Sequence, residues 1–395
     1  MRSGAYIFIC ILCLLLFSRC GCNRDDQEIV PRLPIVTEVL SDENSPWYID
    51  RSAYPTYRSL LPVGVYGTDE SCLSMLETLL ELDAFDNITG DEGADGIKDF
   101  AGEYFSLIYR RIIPDSVRIQ TIRNLARLMQ GDSTCMPAKI LLITSDTVSI
   151  TAMEDIGHLV EDSKLGIKAV SVLHEGNLYM QSLLEKARET NKDKSGTIGV
   201  LAPGETILAG GYTSLSRNAY VAVQDFSPGI TPSLDNPDYP IVNELIPAYF
   251  FNYSRAEITY RGSRYEPSFM QVVSTENKIR YSITSLVEQL RKGGRSPLKY
   301  LILGEGSLVK YEGLIIESLN MLRNYRKNDQ YVYRHLIEPM VEIIQPQKET
   351  AKLVYRILRD DCVAAFRATP CRIIINSNVP TDLTKYPLLN VCIDH

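Results

Sequence analysis

Tryptophan occurs once in the 395 residues and histidine four times. A single indole gives no support to a carbohydrate platform of stacked aromatics, and His158, His174 and His335 show no metal-ligand spacing. There is no excess of basic residues. Lysine and arginine total 41 against 49 acidic residues, a formal charge of −8, which argues against nucleic acid as the main partner. Nine cysteines are too few for a disulfide-dense scaffold. No Gly-Lys-Ser/Thr follows Gly304-Glu305-Gly306 or Ala202-Pro203-Gly204, so neither is a Walker phosphate loop. Beyond the first two dozen residues no run is long and apolar enough to cross a bilayer. What is present is ample apolar material. At 45% hydrophobic, a chain of this length is expected to bury a large core as two or three domains.

The N-terminus reads as an address. Arg2 is followed by the apolar run Ala5 to Phe17, which is short for a membrane-spanning helix and suits a signal-peptide core. The run ends at Ser18, Cys20, Gly21 and Cys22, the pattern of a bacterial lipoprotein signal in which a cysteine thiol is acylated. Cys22 is the expected lipid attachment site, because small Gly21 precedes it whereas Arg19 precedes Cys20. Asn23, Arg24, Asp25 and Asp26 then resemble the acidic tag of surface-directed lipoproteins. The expectation is a lipid-anchored protein of a Gram-negative envelope, on the periplasmic or the cell-surface face. A plain secretory signal with coincidental cysteines is the alternative. Among the later cysteines, Cys362 and Cys371 lie close enough in sequence to pair.

Residues 23–58, rich in proline and acidic residues, suggest a tether. From Leu61 short apolar runs recur: Pro62 to Tyr66, Lys139 to Thr144, Ile167 to Leu173, Thr197 to Leu201 and Tyr300 to Leu303. Most lead into stretches with helical periodicity, such as Leu73 to Leu82 and Leu178 to Glu189. Buried strands alternating with helices predict an α/β fold built on parallel sheets, with ligands at the C-terminal strand ends. Asp225 to Tyr265, punctuated by prolines and aromatics, suggests an elaborated loop.

Six strand-end segments, in order, resemble the aspartate/glutamate racemase family, most nearly glutamate racemase. They are VGVYGTDESCLSML from Val63, KILLITSDTVS from Lys139, KAVSVLHEG from Lys168, GTIGVLAPGETILAGGY from Gly196, YLILGEGSLVKYEGL from Tyr300 and IIQPQKETAKL from Ile343. The resemblance implies two similar parallel-sheet α/β domains facing each other across a cleft. The expected division is 1–22 signal, 23–58 tether, 59–165 with 330–395 as the first domain and 166–329 as the second.

The family works without cofactor or metal. Two cysteines flank the α-carbon of an amino acid; one thiolate removes the proton and the other thiol returns one to the opposite face. Here Ser145 and Glu305 occupy the two cysteine positions. A serine hydroxyl is too weak an acid to replace a thiol unless a base activates it. The resemblance therefore implies a chain that has lost two-cysteine racemisation and binds an amino acid or peptidoglycan fragment in the cleft. The ligand-binding candidates it carries over are Thr68, Asp146, Thr147, Ser149, Thr206 and Ser307, although helix N-capping is an equal reading for Thr147, Ser149 and Thr206. Asp146 replaces the family's asparagine and would repel a carboxylate and attract an amine or a metal. Two alternatives stand beside this. One is a working enzyme that uses Glu305 with Asp146 or Cys72 as acid and base. The other is a non-catalytic envelope protein acting through its outer surface. Because glutamate racemases commonly form dimers, the resemblance also allows a homodimer.

Overall fold

The computed structural model describes residues 32–112, 116–133, 135–189, 196–217, 219–226, 258–262, 267–272, 274–366, 371–380 and 382–392. Cys22 and the signal segment lie outside the described residues, as does most of the loop expected over 225–265. At the end of that loop, β7 (Ile258–Gly262) pairs antiparallel with β8 (Pro267–Val272), and further on β10 (Arg326–Lys327) pairs antiparallel with β11 (Gln330–Tyr331).

Two parallel sheets organise the chain. The first has the order β13-β2-β1-β3-β4, from β1 (Val63–Gly67), β2 (Tyr104–Tyr109), β3 (Ile140–Ile143), β4 (Ala169–Ser171) and β13 (Arg372–Ser377). The second has the order β12-β9-β5-β6, from β5 (Thr197–Ala202), β6 (Val221–Asp225), β9 (Leu298–Leu303) and β12 (Ile337–Ile344). Every strand pair within both sheets is parallel. β1, β3 and β5 are buried along their whole length, which is why each is an unbroken apolar run rather than an alternating one.

Helices cover these sheets. Leu73, Met75 and Leu76 of α2 (Ser71–Glu81) share a core with β1, β2 and β3, together with Val354 and Leu358 of α10 (Pro346–Asp360). Ile122, Leu125 and Met129 of α3 (Val117–Gln130) are fully buried. In the second sheet, Ile283, Leu286 and Leu290 of α8 (Thr275–Gly293) pack with Leu301 and with Leu319 of α9 (Glu312–Asn324). On the opposite face, Met180 and Leu184 of α6 (Val172–Glu189) pack with Ile198, Val200 and Ile302.

The chain crosses from the first sheet to the second through α6 and returns through α10, and these two helices lie against each other. Gly176 permits the approach: a Cβ there would stand 2.7 Å from Cβ of Pro346. The crossings differ from the boundaries expected at 165/166 and 329/330. β4 belongs to the first sheet and β12 to the second, because each strand precedes the helix that makes the crossing.

The tether expected over 23–58 also differs. Pro34–Ser41 forms α1, which buries Ile35, Val36 and Val39, with Ile49 buried beside it. Arg51 donates to the Asp162 carbonyl, Tyr54 to the Ala138 carbonyl and Arg58 to the Lys139 and Gly166 carbonyls. The apolar positions 35, 36 and 39 share one helical face, which gives this segment a packing surface that a solvated tether lacks. Cys362 and Cys371 are not joined in a disulfide.

Candidate functional site

Both sheets direct their C-terminal strand ends at one cavity of about 70 Å³. From the first sheet come Asp69 after β1, Thr144, Asp146 and Thr147 after β3, and Val172 and Leu173 after β4. From the second come Pro203, Glu205 and Thr206 after β5, Gly304, Glu305 and Gly306 after β9, and Pro346 and Gln347 after β12. Parallel α/β sheets place ligands at such ends, because that is where chain turns into helix and leaves side chains and backbone free.

The cleft is acidic. Asp69, Asp146, Glu205 and Glu305 line it, and no lysine, arginine or histidine is among the lining residues. Asp146 opens α4 (Asp146–Thr151), and its Oδ2 accepts a hydrogen bond from Thr206 Oγ1 at 2.8 Å, a direct link between the two halves. Burial pushes the Asp146 carboxyl up to about 7; the Thr206 bond opposes this and the charges of Asp69 and Glu305 reinforce it. Glu305 is likewise pushed up to about 7, first by burial and then by Asp69, although the Ser307 amide donates to its Oε1 at 3.2 Å. Asp69 sits at the mouth with its side chain exposed, yet the protein packed around it still raises its pKa, with Glu70 and Glu205 adding to the effect.

Tyr212 completes the wall. It is 5% exposed and lines the cavity, and among the described residues its hydroxyl has no hydrogen-bond partner. Burial, followed by the Asp146 and Glu305 charges, raises the phenol well above its ordinary pKa, so the hydroxyl keeps its proton at any physiological pH. Gly304 makes room for it, since a Cβ there would fall 2.1 Å from the Tyr212 hydroxyl oxygen. Gln347, buried on the opposite side, accepts from Ser74 Oγ through Oε1 at 3.1 Å.

No protein-family model matches the chain, and no curated protein matches it in sequence. Its structural neighbours are glutamate racemases. Glutamate racemase isoform RacE1 from Bacillus anthracis is 14% identical, covering 85% of this chain and 96% of its own, at a TM-score of 0.47. The Francisella tularensis glutamate racemase in complex with D-glutamate is 15% identical, covering 85% and 97%, at 0.45. The Thermus thermophilus glutamate racemase in complex with β-chloro-D-alanine is 15% identical, covering 85% and 97%, at 0.43.

Ser145 and Glu305, which the sequence resemblance sets at the family's cysteine positions, have different surroundings. Glu305 lines the cleft. Ser145 is fully buried outside the lining; its Oγ accepts from the Val148 amide as the N-cap of α4 and lies 2.6 Å from Thr68 Oγ1. Ser149 is tied inward: its Oγ donates to the Ser145 carbonyl at 2.8 Å and accepts from Ser171 at 2.8 Å. Thr68, Ser149 and Ser307 are not among the lining residues, whereas Asp146, Thr147 and Thr206 are. Cys72 is fully buried, donates to the Asp69 carbonyl at 3.0 Å, and has its thiol pushed far up by burial and then by the Asp69 charge. A thiol so placed supplies no thiolate near neutrality, which removes Cys72 as a displaced racemase nucleophile. Asp69, Glu205 and Gln347 were not singled out as ligand contacts from sequence; the signal that points to them is their place immediately after β1, β5 and β12.

Proposed function

We propose that this chain is a lipid-anchored, exported protein of the aspartate/glutamate racemase type that binds a small ligand, an amino acid or a peptidoglycan fragment, between its two sheets without two-thiol racemisation. The observation that carries this reading is the cleft wall: strand ends of both sheets converge on it, and no cysteine lines it. The six ordered segments that resemble the family supply the architecture and the place of the site. Attachment at Cys22, the envelope location and a homodimer rest on the sequence alone.

Racemisation through two thiols needs a proton donor and a proton acceptor on opposite faces of one carbon. Ser145 is fully buried and engaged as a helix cap, so it offers neither. Binding asks less. Thr206, Asp146 and Glu305 present acceptors and a donor around a water-accessible space, with Val172, Leu173 and Leu303 as apolar floor. Calorimetric titration of the full-length chain with amino acids and muropeptides tests the reading. Saturable binding is expected, and complete absence of binding would sink it.

One observation favours a second reading, an enzyme of altered chemistry. Asp146 and Glu305 both titrate at about 7, the range in which a carboxyl both donates and accepts protons at neutral pH. Solvent-deuterium exchange at the α-carbon of L- and D-amino acids discriminates. Exchange that disappears in Glu305→Gln establishes the enzyme; no exchange beside measurable binding leaves the binding protein. An envelope protein acting only through its outer surface calls for a filled, apolar cleft, and this cleft is open and carries four carboxylates.

A further inference from the structure

The four carboxylates of the cleft share its lining with no cationic side chain. Asp146 gives one oxygen to Thr206, and among the described residues nothing else bonds to its carboxylate. Tyr212 is the independent sign of a missing partner: a hydroxyl on a 5%-exposed ring, facing the cavity and bonded to nothing among the described residues. The hydroxyl opens onto the cavity over Gly304, the residue before Glu305, so an otherwise buried side chain offers a free donor and acceptor to a ligand atom there. No cationic side chain of the lining fills that role.

We infer that the cleft recognises its ligand through an ammonium group, held among Asp146, Glu305 and the Tyr212 hydroxyl, and discriminates against ligands that present a carboxylate there. The inference rests on the binding reading above and names the ligand class for that site. An ammonium has three donors and no acceptor, which matches two carboxylates and a phenolic oxygen. A carboxylate in the same place meets like charge from Asp69 and Glu205 as well. A metal ion fits less well, since among the described residues no group of three histidine, cysteine, aspartate or glutamate side chains is arranged to hold one. Val172, Leu173 and Leu303 lie beside the acidic wall and suit an aliphatic stem. The ligand class is therefore a small molecule with a primary amine at the end of an alkyl chain, of the kind a diamino acid carries.

The test is calorimetric titration of the full-length chain at pH 8 with 1,5-diaminopentane, L-lysine, D-lysine, glutarate, L-glutamate and D-glutamate. The amines are expected to bind at least tenfold more tightly than the matched acids. Asp146→Asn and Glu305→Gln, with unchanged circular dichroism, should each weaken amine binding at least tenfold, while Glu154→Gln, on an exposed helix face away from the cleft, should not. Glutamate or glutarate binding as well as lysine overturns the inference but leaves the binding reading standing. Amine binding that is indifferent to both cleft variants overturns it too. If none of the six probes binds, the inference falls, and the binding reading falls with it only when muropeptides are also silent.

Discussion

Two carboxyls held near pH 7 reverse the usual acid behaviour at this site. Burial raises both Asp146 and Glu305 from ordinary carboxylate values to about 7. A carboxyl whose pKa is higher in the folded state binds more protons folded than unfolded, so its contribution to stability is full at low pH and is lost as pH rises toward and through 7. Neutral isosteres should therefore help most where the native groups are charged. Asp146→Asn and Glu305→Gln are each expected to stabilise the chain at pH 8 by on the order of 1 kcal/mol, about 1 °C in melting temperature for a chain of this size, with little effect at pH 4. Melting curves at the two pH values check this, and an equal shift at both would contradict it. Asp146 was legible in the sequence as a carboxylate where the resembling family keeps an amide. Glu205 and Asp69 were not, because nothing local distinguishes a loop carboxylate that faces a cleft from one that faces only water. Tyr212 could be aligned, but only the fold shows that its hydroxyl reaches Gly304.

At the scale of elements, the strands that the sequence announces are those buried on both faces. β1, β3 and β5 are continuous apolar runs because helices cover both sides of a parallel sheet. β12 escaped notice for the converse reason. It is an edge strand with Pro339, Met340 and Glu342 exposed, so it shows neither an apolar run nor clean alternation. That miss also displaced the expected domain boundary. α1 was hidden by the proline and acidic residues around it, although Val36 and Val39 are fully buried. The double substitution Val36→Ala with Val39→Ala should cost about 2–3 kcal/mol of unfolding free energy in chemical denaturation, from lost burial and the space left behind. A cost near zero would mean that the segment behaves as the tether its composition suggests.

At the scale of the whole molecule, the cavity follows from two parallel sheets turning their C-terminal strand ends toward it. Each sheet alone offers a row of helix-starting loops; together they enclose a space whose wall belongs to both, clasped by the Thr206–Asp146 bond. The fold class and several of the loops that line the cavity were readable from strand-end segments in order, since those segments are set by the sheet and not by the chemistry. The chemistry of the cavity wall was less readable, because it depends on which loop side chains converge. The central claim is that the ligand sits in this cleft. Thr147 is exposed at its mouth and lines it, so Thr147→Trp should obstruct the space without disturbing the core. The most direct measurement is calorimetric titration of wild type and Thr147→Trp with one muropeptide that the wild type binds, alongside their melting temperatures. At least tenfold weaker binding by the variant at an unchanged melting temperature is the predicted result; undiminished binding would contradict a site between the sheets.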